Sequence, residues 1–385
     1  MRGIVIAGTH SGCGKTTVTL GLLAALKKNG LTVQSFKTGP DFIDSGIHRL
    51  ITGRPSRNLD LWMCGEAYVR DCFELFSADA EAVVVEGVMG MYDGKLSTAH
   101  LAAFLDLPVI LVVDAYGMAE SAGAIVKGFA DFGRHTIDRR NSKLNTQNST
   151  LRIAGVIFNR VASERHYERL RESVHGVPVL GYLPRDLKFE IPHRHLGLTV
   201  AEENPLSEKN LDRLADTVLR FIDVESILRY EARGKGQGAK NKKRRGSRPG
   251  CLSPIASIAV AYDKAFCFYY EDNLDLLRDG GMEVVKFSPL ADSRLPRSVD
   301  AVYIGGGYPE LHALQLSANK SMLSSIQTWA DEGRPLYAEC GGLMYLSQGI
   351  YDFKDAFFPM AGVFPFETVM KKGRSRLGYR EILLH

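Results

Sequence analysis

The first residues able to do chemistry lie close to the start of the chain. The stretch Gly8-Thr9-His10-Ser11-Gly12-Cys13-Gly14-Lys15-Thr16-Thr17 sets small residues ahead of a lysine and two hydroxyls. A loop of this kind turns successive backbone N–H groups inward around phosphate oxygens, and the following helix terminus and the lysine ammonium add positive charge. Thr9, Ser11, Gly12, Gly14, Lys15, Thr16 and Thr17 are therefore candidate ATP-binding residues, with the Thr16 hydroxyl suited to magnesium. The strict pattern asks for glycine where Thr9 stands, one residue after Gly8, so the loop is slightly atypical. The competing reading is a glycine-rich turn between strand and helix that holds no ligand.

Acidic candidates follow. Asp41 and Asp44 lie three residues apart beside Lys37, where they can position magnesium or a cationic group, or simply cap a helix. Glu86 ends the β-branched run from Ala82 and leads into the glycine-rich Gly87-Val88-Met89-Gly90-Met91-Tyr92-Asp93-Gly94, as an acid that holds magnesium or orients a nucleophile would. Asn159, at the end of a later strand, is placed to read an adenine edge.

The last candidate is a thiol. Pro335-Leu336-Tyr337-Ala338-Glu339-Cys340-Gly341-Gly342 reads as strand, cysteine, then helix, with small residues two before and two after the cysteine, as a sharp nucleophile elbow requires. A helix N-terminus is expected to lower the thiol pKa. Upstream, Gly305-Gly306-Gly307 follows another buried strand and allows N–H groups to converge as an oxyanion hole. A lone cysteine is more often a buried hydrophobe, and glycines alone prove little.

The elements that must position these groups alternate. Apolar runs near 4–7, 31–36, 82–85, 108–113, 151–158 and 177–183 read as buried parallel strands, with helices near 15–28, 66–76, 117–132 and 207–229 between or after them. This is an α/β, doubly wound parallel sheet with its sites along the carboxyl edge. A polar stretch at 135–150 reads as a surface insertion. Alternation restarts with strands at 257–262, 283–287 and 301–304 and a helix near 273–278. Two domains are expected, 1–229 and 255–385, joined by a basic linker at 230–254.

Composition agrees with a multidomain globular chain: 385 residues, 45% hydrophobic. No run of about 18 apolar residues or cleavable leader is visible, so no membrane span is expected. The six cysteines, Cys13, Cys64, Cys72, Cys251, Cys267 and Cys340, show no C-x-x-C pairing and read as reduced thiols of a cytoplasmic protein. The net charge of +4 comes from one segment: residues 233–248 hold eight Lys and Arg and no acid, leaving 40 basic against 44 acidic residues elsewhere. That segment reads as a solvated linker; a nucleic-acid patch is the alternative, but no aromatic residues are interleaved. No nucleic-acid partner is expected.

A phosphate loop joined to a cysteine elbow suggests amidation. ATP would phosphorylate a carboxylate to make a good leaving group, and the cysteine would release ammonia from glutamine through a thioester. At this point the motifs GTHSGCGKTT, KTGPDFID, VVVEGVMGMYDG, GVIFNRVASERH, GYLPRD, YIGGGYPEL, ECGGLMYL and LGYRE, in this order, resemble the cobyrinic acid a,c-diamide synthases of corrinoid biosynthesis. The resemblance implies a dethiobiotin-synthetase-like ATP domain followed by a class I glutamine-amidotransferase-like domain, amidating the a and c acetates of a corrin ring. It implies ATP and magnesium at Lys15 and Thr16, metal at Thr16, Asp41 and Glu86, and substrate or activated carboxylate at Lys37, Asp41, Asp44 and Tyr92. Cys340 would be the glutaminase nucleophile, with Gly306, Gly307 and Gly341 at the oxyanion. The expected partners are small molecules and a second copy in a homodimer.

Family members continue beyond the Gly-Tyr-Arg-Glu stretch to a histidine that activates the cysteine. His385 falls where they have an apolar strand, so it takes no catalytic role, and His312 lies in an expected helix. Either the second domain is incomplete in this chain, or glutamine hydrolysis is impaired and free ammonia serves instead. Hydrogenobyrinic acid and nickel-sirohydrochlorin are alternative substrates. A regulatory or partitioning ATPase with a non-catalytic second domain, and a non-functional remnant, are the other readings.

Overall fold

In the computed structural model, residues 2–140, 151–187, 207–230 and 254–371 are described. They form two compact units, one on 2–187 with 207–230, the other on 254–371. The expected basic segment 233–248, the 141–150 part of the polar insertion and the Gly-Tyr-Arg-Glu stretch lie outside the described residues.

The first unit runs β1(Arg2–Gly8), α1(Lys15–Lys28), β2(Val33–Lys37), α2(Ile43–Thr52), β3(Arg57–Asn58), α3(Leu61–Cys64), α4(Glu66–Ser77), β4(Ala82–Glu86), α5(Thr98–Phe104) and β5(Val109–Asp114). It continues with α6(Ser121–Arg140), β6(Ile153–Val161), α7(Glu164–Ser173), β7(Val179–Pro184), α8(Glu208–Phe221) and α9(Val224–Leu228). Its strands form one parallel sheet in the order β3-β2-β4-β1-β5-β6-β7. Strands buried on both faces must be apolar throughout, which is why Val83, Val84 and Val85 of β4 and Ile110 to Val113 of β5 read as unbroken runs. β1 is central, between β4 and β5, so the loop leaving it opens where the winding changes direction, the usual place for a ligand in such sheets.

Three expectations are corrected. The helix expected over 207–229 is two: α8 ends at Ile222, which bridges to Gly181, and the Asp223 side chain accepts from Ser226 N–H to start α9. α6 runs on to Arg140, into the polar stretch expected as insertion. β6 runs through Asn159 to Val161, with Arg160 in a left-handed backbone conformation (φ 60°).

The second unit runs β8(Ala256–Ala261), α10(Glu271–Asp279), β9(Met282–Phe287), β10(Ala301–Ile304), a 3-10 turn Pro309–His312, α11(Ala313–Ala318), α12(Lys320–Asp331), β11(Leu336–Ala338) and α13(Gly341–Tyr345). After these come β12(Gly349–Tyr351), β13(Phe357–Pro359) and β14(Glu367–Val369), a small separate sheet. The parallel order β11-β10-β8-β9 brings the glycines after β10 beside the cysteine after β11. Among the described residues no helix is long and apolar enough to cross a membrane.

α8 is amphipathic, burying Leu214, Ala215 and Val218, and meets α1 so closely that a Cβ on Gly21 would stand 2.6 Å from Val218 Cγ2 and 3.4 Å from Leu214. Leu214 is fully buried. Leu214→Ala should lower the stability of the first unit by about 3 kcal/mol in urea unfolding; an unchanged midpoint would mean that this helix does not close the unit.

Candidate functional site

The phosphate loop is held by its own hydrogen bonds. Thr9 N–H donates to the Val112 carbonyl at 3.2 Å and Met91 N–H to the Gly8 carbonyl at 2.8 Å, tying the loop's entry to β5 and to the segment after β4. Gly14 takes a left-handed conformation (φ 99°), and its carbonyl accepts from Val18 N–H at 3.0 Å to begin α1. Lys15 is buried, its ammonium bonded to the His10 carbonyl at 3.2 Å, and burial pulls its pKa down. The displaced glycine has a steric cause: a Cβ on Gly8 would stand 2.2 Å from Cys13 Sγ and 2.8 Å from Lys15 Cγ. Asn159 donates through Nδ2 to the Cys13 carbonyl at 3.0 Å, so the side chain expected at an adenine edge is holding the loop.

Beside the loop lies a buried charge cluster. Lys37, the last residue of β2, sends its ammonium to Asp44 Oδ2 at 2.7 Å, Glu86 Oε1 at 2.9 Å and the Gly87 carbonyl at 3.4 Å. Lys37, Asp44 and Glu86 are all buried. Thr16 Oγ1 donates to Glu86 Oε1 at 2.7 Å and approaches Asp44 Oδ2 at 3.4 Å. Burial opposes the Lys37 charge, but Asp44, Glu86 and Asp41 outweigh it and hold the ammonium above its usual range. Burial likewise pushes Glu86 up and Asp44 adds to this, while Lys37 and the bonded His48 pull it down, leaving its carboxyl below the usual range.

The two readings of Asp41 and Asp44 divide between the residues. Asp41 Oδ1 accepts from the N–H groups of Ile43 and Asp44 at 2.9 and 3.1 Å and so starts α2, while its Oδ2 stays 3.8 Å from Lys37. Asp44, not Asp41, is the one that reaches Thr16. Magnesium favours hard oxygen ligands about 2.1 Å away, which sets neighbouring ligands about 3 Å apart. The oxygens of Thr16, Glu86 and Asp44 have this chemistry and near this spacing, so the residues fit the ion. Tyr92, expected in the substrate set, is engaged with α6. Its hydroxyl donates to the Phe129 carbonyl at 2.5 Å, its ring packs on Phe129 and Phe132, and burial pushes its pKa up to about 12.

In the second unit Cys340 has φ 51° and ψ −115°, the strained backbone of an elbow, and α13 begins at the next residue. Gly342 is obligatory, because a Cβ there would stand 2.1 Å from the Ile304 carbonyl oxygen. The N–H groups of Gly341 and Gly307 point at the thiol. Gly306 instead accepts from Phe268 N–H at 3.1 Å through its carbonyl, and its Cα lies beside the Cys340 side chain. Tyr269 locks this loop, accepting from Gly305 N–H at 2.7 Å and donating to the Ala261 carbonyl at 2.5 Å. The expected lowering of the thiol pKa is not found. Burial pushes the Cys340 thiol up, the two glycine N–H groups pull it back only in part, and Glu310 and Glu339 push it further up.

Two family models match the chain: a CobQ/CobB/MinD/ParA nucleotide binding domain over residues 4–198 and a CobB/CobQ-like glutamine amidotransferase domain over 257–383. Similar proteins include the cobyrinate a,c-diamide synthase of Syntrophotalea carbinolica, 45% identical over 98% of this chain and 80% of that protein. Those of Caldanaerobacter subterraneus and a Synechococcus are 41% and 43% identical, over 99% and 98% of this chain and 81% of each relative. The chain belongs to the cobyrinate a,c-diamide synthase family.

For a member of this family the structure adds a residue that the sequence reading missed. His48, fully buried on α2, places Nε2 2.7 Å from Glu86 Oε2 and Nδ1 3.2 Å from Ser56 Oγ, and so fixes the carboxylate whose other oxygen meets Thr16 and Lys37. The available signal was its position four residues after Asp44, on a face otherwise made of Ile43, Ile47 and Ile51. His312 ends the 3-10 turn and is the only histidine among the described residues of the second unit.

Two outcomes follow from this geometry. Lys37→Ala would leave Asp44 and Glu86 buried without their shared cation, and should cost about 3–5 kcal/mol in urea unfolding at neutral pH. With burial pushing the Cys340 thiol up, alkylation of its peptide by iodoacetamide, followed by mass spectrometry, should accelerate with rising pH with a midpoint above that of a cysteine in an unfolded peptide, and a lower midpoint would contradict the burial argument.

Proposed function

We propose that the chain catalyses ATP-dependent amidation of the a and c acetate carboxylates of cobyrinic acid, with ammonia drawn from glutamine. The observation that carries this reading is the convergence of Thr16, Lys37, Asp44 and Glu86 directly beside the phosphate loop. Loop N–H groups and Lys15 would hold the triphosphate, and Thr16 and Glu86, with Asp44, would hold magnesium. Bound there, the ion would neutralise charge on the transferring phosphoryl group.

Lys37, whose ammonium is bonded to Asp44, Glu86 and the Gly87 carbonyl, would exchange one of these partners for the entering substrate carboxylate and so orient the attacking oxygen. That oxygen forms a bond to the γ-phosphorus as ADP leaves, giving an acyl phosphate. Ammonia then adds to the acyl carbon and phosphate departs, leaving the amide. His48 keeps Glu86 in a single orientation throughout, through its bond to Oε2.

At the elbow, Cys340 sulfur would attack the glutamine side-chain carbonyl while the N–H groups of Gly307 and Gly341 stabilise the oxyanion. Ammonia leaves, and water hydrolyses the thioester to glutamate. The cysteines show no C-x-x-C pairing in the sequence, which suits a reducing compartment, and we place the enzyme in the cytoplasm.

The test is amidation of cobyrinic acid with ATP and magnesium, followed by mass spectrometry, with glutamine and ammonium as parallel donors. Hydrogenobyrinic acid and nickel-sirohydrochlorin serve as further arms. Cys340→Ser should abolish glutamine-dependent product and leave ammonium-dependent product within about twofold of the unsubstituted protein. Loss of both would tie the thiol to the ligase step and overturn the division of labour, and amidation of another macrocycle alone would change the substrate.

A further inference from the structure

The acetate to be phosphorylated hangs from a large, flat, largely apolar ring by a single methylene. If that carboxylate reaches Lys37, the ring itself must lie against whatever borders Lys37 on the carboxyl edge of the sheet. On one side of β1 that edge carries Asn159, which holds the loop. On the other side, β4, β2 and β3 follow in order, and the segments leaving β3 and β4 present large apolar side chains to solvent: Trp62 is 39% exposed, Met63 38% and Met89 41%. Exposed apolar groups on the loops at the same sheet edge as a polar reaction centre are candidates for a binding surface.

These side chains stand on fixed backbone. Lys37 and Asn58 are paired across β2 and β3, so the chain enters α3 just past the backbone level of Lys37. Asn58 Nδ2 donates to the Gly39 carbonyl at 2.6 Å, and Leu59 N–H to the Lys37 carbonyl at 2.9 Å. Asp60 Oδ1 accepts from the N–H groups of both Trp62 and Met63 at 2.9 Å, fixing the start of α3. Gly39 packs against Val88, where a Cβ would stand 2.8 Å from Val88 Cγ2, and Val88 N–H donates to Thr98 Oγ1 at 3.1 Å. Met89 then takes φ 50°, a left-handed conformation costly for a side chain of its size and of the kind found where function holds it. The segments after β2, β3 and β4 are thus stitched together. β3 and β4 are separated by β2, a span of about 10 Å and on the scale of a tetrapyrrole ring.

We propose that Trp62, Met63 and Met89 form a seat for one face of the tetrapyrrole macrocycle, holding it so that an acetate arm reaches Lys37. This rests on the amidation reading above. An indole and two thioethers suit such a ligand, since a π-face and polarizable sulfurs give contact area without demanding a hydrogen-bond pattern. The seat would recognise the ring while leaving the choice of acetate to the charge cluster.

Full-length Trp62→Ala, Met89→Ala and Trp62→Phe proteins test this with ammonium as nitrogen donor, so that Cys340 is not involved. The alanine variants should raise the KM for cobyrinic acid about tenfold while the KM for ATP and the kcat stay near those of the unsubstituted protein, and Trp62→Phe should restore most of the loss. Equilibrium dialysis of cobyrinic acid, which needs no turnover, runs alongside. Unsubstituted protein that binds and amidates while both alanine variants keep its KM and dissociation constant overturns the seat. A KM for ATP that rises in step also overturns it, because the substitutions would then act through the loops. A shift in oligomeric state with unchanged affinity for the macrocycle would assign the patch to a second copy instead. Unsubstituted protein that neither binds nor amidates overturns the amidation reading itself.

Discussion

One buried ammonium organises the first unit. Lys37 sits at the end of β2 with Asp44 and Glu86 within 3 Å, so two carboxylates from α2 and β4 are held beside each other at a depth where neither would remain ionised alone. The three groups come from three separate elements of the chain, β2, α2 and β4. Only the parallel order β2-β4-β1 brings them to the same edge as the loop that carries Thr16. Strand order, the seating of α2 and the start of α1 are therefore all constrained by the need to keep that charge compensated.

The second unit solves a different problem with little charge. A thiol needs exposure to substrate and N–H groups aimed at a developing oxyanion, and a tight turn supplies both if the neighbouring residues vanish sterically. Gly342 lets the chain pass against the Ile304 carbonyl, and Tyr269 keeps the facing glycine loop in place with a single hydroxyl used twice. The result is an oriented nucleophile whose pKa the surroundings raise. Activation must then come at the moment of reaction, when a proton acceptor or the bound substrate changes the local field.

Much of this was legible in the sequence because its signals are local. Parallel strands buried on both faces read as unbroken apolar runs, and a cysteine followed by two glycines marks an elbow whatever surrounds it. What escaped depends on partners far along the chain. His48 looks like any polar residue on a helix until Glu86 is placed against it, and Asp41 and Asp44 look interchangeable until one is seen capping the helix and the other bonded to Lys37. Tyr92 sits in the right motif, yet the backbone of α6 claims its hydroxyl. The break between α8 and α9 was hidden because Ile222 leaves the helix to bridge β7, a tertiary demand with no local sign.

The close fit of Gly8 involves both Cys13 and Lys15. With the sulfur and the stem of Lys15 filling the space where a side chain at position 8 would stand, residue 8 cannot grow even if residue 13 shrinks. The glycine that appears one place early is then held there by the same lysine that the loop presents to phosphate, so a change that enlarged residue 8 would displace that lysine.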